Sequence, residues 1–306
     1  MKAYATNRNR HAIILAGGDG TRLSEVTRRI TGDATPKQFC PLTGDTSLLE
    51  QTRLRVSITV DENRILTVLN RAHERHYRDL LSEIQPGNLV IQPANRGTAP
   101  AILFALMRLS AVARDAYVAL FPSDHFVSDD REFMRHVDLA FDALESRPEM
   151  TALLRITPHA VESGYGWIER GELVVHTPLF RVRQFWEKPD TELAAELLRA
   201  GCMWNSFVIV ARVSTLIGLI SLAMPALCAS FSKIRDLLGT ARESSSLEKL
   251  YDRIPTTSLS NEVLERYPIN LSVLPVRGVE WSDLGEPQRV MAVLSHLGLH
   301  PEWEAA

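Results

Sequence analysis

The order of apolar segments predicts an α/β protein built on a mostly parallel central sheet covered by helices on both faces. Three observations carry this. Through the first half of the chain, short apolar runs alternate with stretches of helical periodicity. One run, Tyr117–Phe121, is apolar throughout, the pattern of a strand buried on both faces. The first apolar run ends in three glycines, Gly17, Gly18 and Gly20, which let the backbone turn sharply and approach a ligand closely.

Taken in order, Ala12–Leu15 reads as a strand, Ser47–Val56 as a helix and Arg64–Leu69 as a strand. His73–Ile84 reads as a helix and Leu89–Ile91 as a strand. Thr98–Arg114 reads as a helix with Ile102, Ala105, Leu106, Leu109 and Val112 on one face. Tyr117–Phe121 is a strand that ends at Pro122, and Arg131–Glu145 is a helix. The β-α-β-α order implies a mostly parallel sheet covered on both faces. The second half is less regular. Strands are predicted at Thr151–Ile156, Gly166–Glu169, Phe180–Phe185, Phe207–Ala211 and Leu271–Val276. Helices are predicted at Thr191–Arg199, Val213–Leu222 and Glu286–Leu297. Ser244–Ser246 reads as a short loop, and no Pro/Gly/Ser-rich linker or internal repeat divides the chain. The expectation is one domain over residues 1–306, with halves at about 11–150 and 151–300, and no β-helix extension.

Composition narrows the function. A chain with 45% hydrophobic and 23% charged residues is not wholly disordered. Its 34 basic and 37 acidic residues, a net charge of −3, give no excess for nucleic-acid phosphates but leave room for a local basic pocket. No run approaches the ~20 apolar residues of a membrane helix, and Met1–Arg10 lacks the apolar core of a signal peptide. Cys40, Cys202 and Cys228 stand far apart, so neither a zinc site nor a disulfide framework is indicated. They read as small buried residues, and a reducing cytoplasm is expected.

The stretch Leu15-Ala16-Gly17-Gly18-Asp19-Gly20-Thr21-Arg22-Leu23 carries the most chemistry. Its backbone N–H groups suit phosphate oxygens, and Arg22 adds a fixed charge. It is not a Walker A loop, because Gly20-Thr21-Arg22 replaces Gly-Lys-Ser/Thr. Nor is it the dinucleotide fingerprint, because Leu23 stands where the last glycine belongs. A plain glycine turn before a helix is the alternative. Lys37, beside Pro36, lies in an irregular stretch on the same side of the sheet. Asp124, just past the strand at Tyr117–Phe121, sits where open α/β sheets bind ligands and is a hard oxygen donor suited to Mg²⁺; a turn cap is its competing role. Asp283 is a second carboxylate 159 positions further on, which only the fold can bring near. Gly164–Trp167, Trp186–Pro189 and Trp204–Ser206 each set polar groups beside an aromatic or a glycine, which suits a sugar. His73 and His76 read as surface histidines, and no nucleophile elbow is present.

Together these motifs resemble the sugar-1-phosphate nucleotidyltransferase family, nearest to its mannose-1-phosphate guanylyltransferase branch. The likeness runs from Ile13 to about Val290 and includes Leu15–Leu23, Pro36–Phe39, Gln92-Pro93, Arg96, Thr98–Ile102, Pro122–His125, Glu162–Ile168, Phe185–Pro189, Trp204–Ser206 and Trp281–Gly285 in family order. It implies a Rossmann-like nucleotidyltransferase fold with a mixed, mostly parallel sheet, a nucleotide half and a sugar-phosphate half. It implies an enzyme that joins an NTP, GTP first, to a sugar 1-phosphate, mannose 1-phosphate first, with release of pyrophosphate. By the resemblance, Leu15, Ala16, Gly17 and Gln92 face the base, and Gly18, Gly20, Thr21 and Arg22 hold the triphosphate. Arg96 and Thr98 complete the nucleotide site, and Lys37 acts at the reacting phosphates. Asp124 and Asp283 carry Mg²⁺, and Gly166, Glu187, Lys188 and Asn205 hold the sugar phosphate. Arg22, Lys37 and Asp124 are the expected catalytic set. No nucleic acid or membrane partner is expected, and a homodimer is the assembly to test.

Four positions depart from the family pattern: Gln92 stands for an acidic residue, Gly97 for Asn or Asp, Phe207 for Gly, and Ser258-Leu259-Ser260-Asn261 for Ser-Ile-Asp-Tyr. The first two bear on the base and the last two on the sugar. The isomerase domain of bifunctional relatives is not expected. The alternatives are uridylyl or thymidylyl transfer to a glucose-like phosphate, a non-catalytic sugar-nucleotide sensor, and, remotely, a dinucleotide-dependent oxidoreductase.

Overall fold

The computed structural model describes residues 9–300, apart from the side chains of residues 80 and 81. The expectation for Met1–Arg10 therefore lies, up to residue 8, outside the described residues. Eleven strands are present among them: β1 (Arg10–Leu15), β2 (Ile65–Asn70), β3 (Leu89–Gln92), β4 (Tyr117–Pro122), β5 (Phe126–Val127), β6 (Thr151–Ile156), β7 (Gly166–Leu173), β8 (Phe180–Glu187), β9 (Met203–Arg212), β10 (Leu271–Pro275) and β11 (Trp281–Ser282). The helices are α1 (Ser24–Thr31), α2 (Leu48–Ser57), α3 (Glu74–Tyr77), α4 (Thr98–Val112), α5 (Asp130–Glu145), α6 (Thr191–Arg199), α7 (Val213–Ala223), α8 (Pro225–Ser232), α9 (Glu243–Tyr251) and α10 (Pro287–His296).

Nine strands form one sheet in the order β3-β2-β1-β4-β9-β6-β10-β8-β7, so both halves of the chain share it. The pairs β3–β2, β2–β1, β1–β4 and β6–β10 are parallel. The five pairs made by β9 with β4, β6 and β7, and by β8 with β10 and β7, are antiparallel. The α/β class holds, but the sheet is mixed rather than mostly parallel, with four parallel and five antiparallel pairs. Its parallel character belongs chiefly to the first half, where helical crossovers join the strands. Antiparallel neighbours take over where β7 and β8 form a hairpin and β9 runs back between β4 and β6. The chain steps outward from β1 to β2 and β3, then returns to β4 on the other flank of β1. Parallel strands that diverge in this way leave a crevice at their carboxyl ends, the usual ligand position in open α/β sheets. Leu15 pairs with Pro122, so the loops after β1 and β4 emerge side by side there.

Local chemistry accounts for the helix starts. Ser47 and Glu50 form a reciprocal capping box at α2. Asp129 and Asp190 accept from backbone N–H groups at the starts of α5 and α6. Helix α4 is wrapped on nearly all sides, sandwiched between the sheet and α7 and α8. Ile102, Ala105, Leu106 and Leu109 are buried as predicted, but Val112, at the helix end, is 83% exposed.

Other expectations need correction. The helix predicted over His73–Ile84 is only one α turn, α3, flanked by tight 3₁₀ turns at Arg71–His73 and Asp79–Ser82. His73 and Tyr77 anchor that turn against Phe39. His73 is buried rather than a surface residue. Ser244–Ser246 lies inside α9, whose buried Leu247, Leu250 and Tyr251 form the helical stripe. Helices α1 and α8 and the small sheet β5–β11 are additions to the elements read from the sequence. All three cysteines are buried and free. Among the described residues no helix is long and apolar enough to cross a membrane.

Candidate active site

The crevice at the ends of β1 and β4 opens into a cavity of about 410 Å³, joined to a second of about 270 Å³ through the shared residues Asp124, His125 and Asp283. Leu15, Gly17, Gly18, Gln92, Thr98, Gly166, Glu187, Lys188 and Asn205 line the larger one. Gly20, Thr21, Arg22 and Lys37 line the smaller one. Of the predicted site residues only Ala16 and Arg96 line neither. Ala16 is fully buried and donates its N–H to the Val68 carbonyl. Arg96 donates its Nε to the Tyr251 carbonyl at 2.8 Å.

The glycine loop is shaped by what holds its carbonyls. Ser123 donates to the Leu15 carbonyl, and Gln38 donates to those of Ala16 and Gly18 at 3.1 and 2.7 Å. The N–H groups of Gly18, Asp19 and Gly20 have no intrachain acceptor among the described residues, so they are free for a ligand's oxygens. Gly20 adopts φ +62°, and a Cβ there would lie 2.9 Å from the Lys37 backbone nitrogen. Asp19 ties the loop outward, to Asn95 at 2.8 Å and to His73 at 3.2 Å. Arg22 is exposed and makes no ion pair among the described residues.

The 159-residue gap between the two carboxylates is closed by β5 and β11. Phe126 pairs with Ser282, which sets Asp283 beside His125 and Asp124. Lys37, in a 3₁₀ turn at Lys37–Phe39 rather than an irregular stretch, spans the site. Its Nζ lies 3.1 Å from Asp124 Oδ2 and donates to the carbonyls of Asp283 and Leu284 at 2.5 and 3.3 Å. Asp283 Oδ1 accepts from the Gly285 N–H at 2.8 Å and faces Arg289 Nε at 3.0 Å. Among the described residues each carboxylate keeps one oxygen without a hydrogen-bond donor, His125 Nε2 lying 3.7 Å from that of Asp124. Two hard oxygen donors on one wall suit a divalent cation whose other positions are filled by water and phosphate. Among the described residues no cluster of three His, Cys, Asp or Glu forms a fuller metal cage. Burial pushes the His125 imidazole down to about 4, despite the opposing pull of Asp124, so a neutral ring stands beside the carboxylates.

The opposite wall comes from the second half. Gly166 pairs with Glu187, and a Cβ at Gly166 would meet Phe185, Glu187 and Asn205 within 3.3 Å, so only glycine lets these side chains converge. Burial raises the Glu187 carboxyl above its usual range, while Lys188 and a hydrogen bond to Ser260 work against that shift. Lys188 (φ +50°), Phe207 (φ +60°) and Leu284 (φ +48°) are non-glycine residues in the left-handed region, and all three border the site. At Asn205–Phe207 strand β9 bulges. The Ser206 hydroxyl donates to the Leu154 carbonyl at 2.6 Å, and the Phe207 N–H donates to Asn205 Oδ1 at 3.1 Å. The family's glycine at the Phe207 position suits this backbone without strain.

Sequence reasoning does not single out Gln38, Ser123, His125, Tyr251 or Arg289, and it marks Ser260 only as part of a departure from the family pattern. Gln38, Ser123 and His125 lie inside quoted motifs and could have been assigned from them. Arg289 pairs with Glu162 at 2.8 Å as well as with Asp283, and no sequence signal announces that.

A crevice at the switch point of the sheet, lined by a phosphate-ready loop and facing two carboxylates, defines a nucleotide-handling transferase. Comparison with known families agrees: residues 11–297 match the Nucleotidyl transferase family, and the chain belongs to it. It is 32% identical over 277 residues to the xanthan biosynthesis protein XanB of Xanthomonas campestris pv. campestris. It is 27% identical over 280 residues to a mannose-1-phosphate guanylyltransferase of Escherichia coli. Each alignment covers 89% of this chain but 57% of the relative, so the chain spans a little over half the length of these curated relatives. The crystal structure of a mannose-1-phosphate geranyltransferase from Thermus thermophilus superposes with a TM-score of 0.79 at 28% identity, covering 94% of this chain and 79% of that one.

Proposed function

We propose that this protein transfers a nucleotidyl group from an NTP to a sugar 1-phosphate, with GTP and mannose 1-phosphate as the preferred pair. A phosphate oxygen of the sugar attacks the α-phosphorus in line. The bond from that phosphorus to the bridging oxygen breaks, and pyrophosphate leaves with the electron pair. The observation that carries this reading is the meeting of the glycine loop, its N–H groups free, with Asp124 and Asp283, opposite a polar wall sized for a sugar phosphate. The relatives' names supply the choice of guanine and mannose.

The loop N–H groups and Arg22 hold the triphosphate, and Lys37 adds fixed positive potential where charge develops. Asp124 and Asp283 are the residues that would hold Mg²⁺, whose chemistry is to neutralise the phosphoryl oxygens. Lys188, Glu187 and Asn205 orient the sugar phosphate so that attack becomes intramolecular. The reading puts the enzyme in the cytoplasm, where its charged substrates and reduced cysteines belong.

The test is a matrix of NTPs against sugar 1-phosphates read by pyrophosphate release. Turnover greatest with GTP and mannose 1-phosphate supports the reading. A better pyrimidine nucleotide with a glucose-like phosphate would favour uridylyl or thymidylyl transfer, to which the amide of Gln92 is also suited. Tight nucleotide-sugar binding without turnover in any pair would make the protein a sensor.

A further inference from the structure

Two walls of the larger cavity come from segments far apart in the chain. Gly164, Tyr165 and Gly166, at the entry to β7, stand on the sugar-phosphate side, and Asp283, just past β11, supplies one of the two carboxylates. Arg289, in the first turn of α10, lies behind both. Its side chain is 10% exposed and lines neither cavity of the site. It borders instead a third cavity of about 360 Å³, which shares Tyr165 and Trp281 with the larger one.

The guanidinium of Arg289 acts as a fork. Nη1 donates to Glu162 Oε2 at 2.8 Å, and Nε faces Asp283 Oδ1 at 3.0 Å. Nη2 lies 3.5 Å from Glu286 on its own helix, and the guanidinium carbon lies 4.7 Å from the centroid of the Tyr165 ring. Both segments make room for it. A Cβ at Gly164 would lie 3.0 Å from Nη1, and one at Gly285 would lie 2.9 Å from Nη2. Each anchor is fixed in turn: Trp167 Nε1 donates to the Glu162 carbonyl at 2.7 Å, and the Gly285 N–H donates to Asp283 Oδ1 at 2.8 Å. A lysine, with one compact charge and no plane, could not meet Glu162 and Asp283 together while lying over a ring.

We propose that Arg289 is a positioning residue for nucleotidyl transfer, a brace that keeps the sugar-phosphate segment Glu162–Gly166 and the Asp283 carboxylate at one spacing. It acts through Tyr165 and Gly166 on one side and through Asp283 on the other. Among the described residues no hydrogen bond or ion pair ties it to the glycine loop after β1, so its effect falls on the sugar phosphate and the cation rather than on the nucleotide. The inference rests on the nucleotidyl-transfer reading and adds to it the means by which the two walls are held in step.

The experiment compares Arg289→Met, which keeps the stem and removes the fork, with Arg289→Lys, which keeps the charge. Binding of Mn²⁺ is followed by electron paramagnetic resonance and binding of mannose 1-phosphate by calorimetry, both without turnover. Pyrophosphate release at saturating Mg²⁺ gives kcat and KM. Two effects of Arg289→Met on the cation oppose each other. Loss of a positive charge 3.0 Å from Asp283 tightens binding, and loss of the carboxylate's position weakens it. The brace requires the second to win. The Kd for Mn²⁺ should rise by about tenfold and kcat should fall by about 30-fold. The KM for mannose 1-phosphate should rise by at least about fivefold, while that for GTP stays within about twofold. Arg289→Lys should lie within about threefold of the Met variant in each measure, because charge without the fork does not restore the brace. Glu162→Gln leaves Arg289 in place and should raise the KM for mannose 1-phosphate by about threefold with that for GTP unchanged; it carries the test if neither Arg289 variant folds. Tighter Mn²⁺ binding by Arg289→Met, full recovery in Arg289→Lys, equal effects on the two KM values, or an unchanged KM for mannose 1-phosphate in Glu162→Gln overturns the proposal. A wild type that releases no pyrophosphate from any pair would overturn the catalytic reading, and the Mn²⁺ and sugar-phosphate binding would still decide this one.

Discussion

Replacing Lys37 with methionine removes a cation while keeping most of the side-chain volume, so the consequence can be worked from three contacts. The ammonium touches Asp124 Oδ2 and the carbonyls of Asp283 and Leu284, and its side chain is 11% exposed against 25% for Asp124. A hydrogen bond to a charged group is worth about 1.5–3 kcal/mol, and a stranded buried acceptor costs a similar amount. Asp124 is open enough to recover water, so the carboxylate loss is discounted and the two carbonyls dominate. The sum is about 3 kcal/mol of stability, or roughly 5 °C in melting temperature for a chain of this size. The same change removes fixed positive charge from the smaller cavity, where loss of one preorganised group lowers kcat by about 100-fold or more. Differential scanning calorimetry and pyrophosphate release measure the two effects. A Lys37→Met protein that melts within about 1 °C of wild type and turns over within about threefold of it would refute the account, because neither the bridge nor the field would then matter.

Three further outcomes are expected. Gly97→Ala should cost roughly 3 kcal/mol or more in urea denaturation, because φ is +84° and the new Cβ would lie 2.3 Å from the Thr257 carbonyl oxygen; a loss under about 1 kcal/mol would mean that the segment simply moves aside. Asp124→Asn should lower turnover by about 100-fold or more with melting little changed, and EDTA should abolish wild-type turnover; activity that persists in the chelator would remove the metal from the reading. Burial pushes the Asp138 carboxyl up to about 6, with Arg10 opposing the shift while also serving Asp142 and Glu145. A folded pKa above the unfolded value of 3.8 means that stability is full below that pH and is lost as pH rises through about 6. Asp138→Asn should flatten that slope in denaturation midpoints between about pH 4 and 7 and recover on the order of 2 kcal/mol at neutral pH; a slope unchanged by the substitution would contradict this.

What could be read from the sequence was whatever local chemistry announces. The apolar runs of β1 and β4, the glycine loop and the buried helix α4 all carry their own periodicity or composition. Strands β5 and β11 are two residues long, too short for any pattern, yet their pairing is what brings Asp283 to Asp124. Helix α9 escapes a local reading because three serines near its start mask a stripe completed only by Leu247, Leu250 and Tyr251. His73 looks like one of two polar surface residues because Phe39 and Asp19, which bury and pair it, lie elsewhere in the sequence. Lys37 stands out as a functional lysine, but its partners 246 and 247 residues away are invisible in the sequence. The unread part of the site consists of long-range contacts, to backbone carbonyls in the case of Lys37 and to side chains in the cases of Arg289 and Tyr251, whose partners lie far away in the sequence.

The departures from the family pattern gain meaning once they are seen as packing. Three of the four lie on two segments that press against each other. Gly97 has no side chain, so the Thr257 carbonyl can sit where a Cβ would be, and it accepts from the Ala99 N–H at 3.2 Å. The Thr257 N–H returns a bond to the Arg96 carbonyl, and the Leu259 N–H donates to Thr98 Oγ1. That clamp fixes the segment running from Tyr251 through Ser258–Asn261, and Tyr251 in turn engages Gln92. An Asn or Asp at position 97 would push Thr257 away and loosen the hold on Tyr251. Positions 92, 97 and 258–261 are therefore joined by one set of contacts, which Ser260 carries on to Glu187 across the cavity. Phe207 lies apart, on the bulge of β9, where it accepts a left-handed backbone and fills space at the cavity wall. Gln92 and Phe207 are held by separate contacts, to Tyr251 and to Asn205, so substitutions at the two positions should combine additively in their effects on turnover.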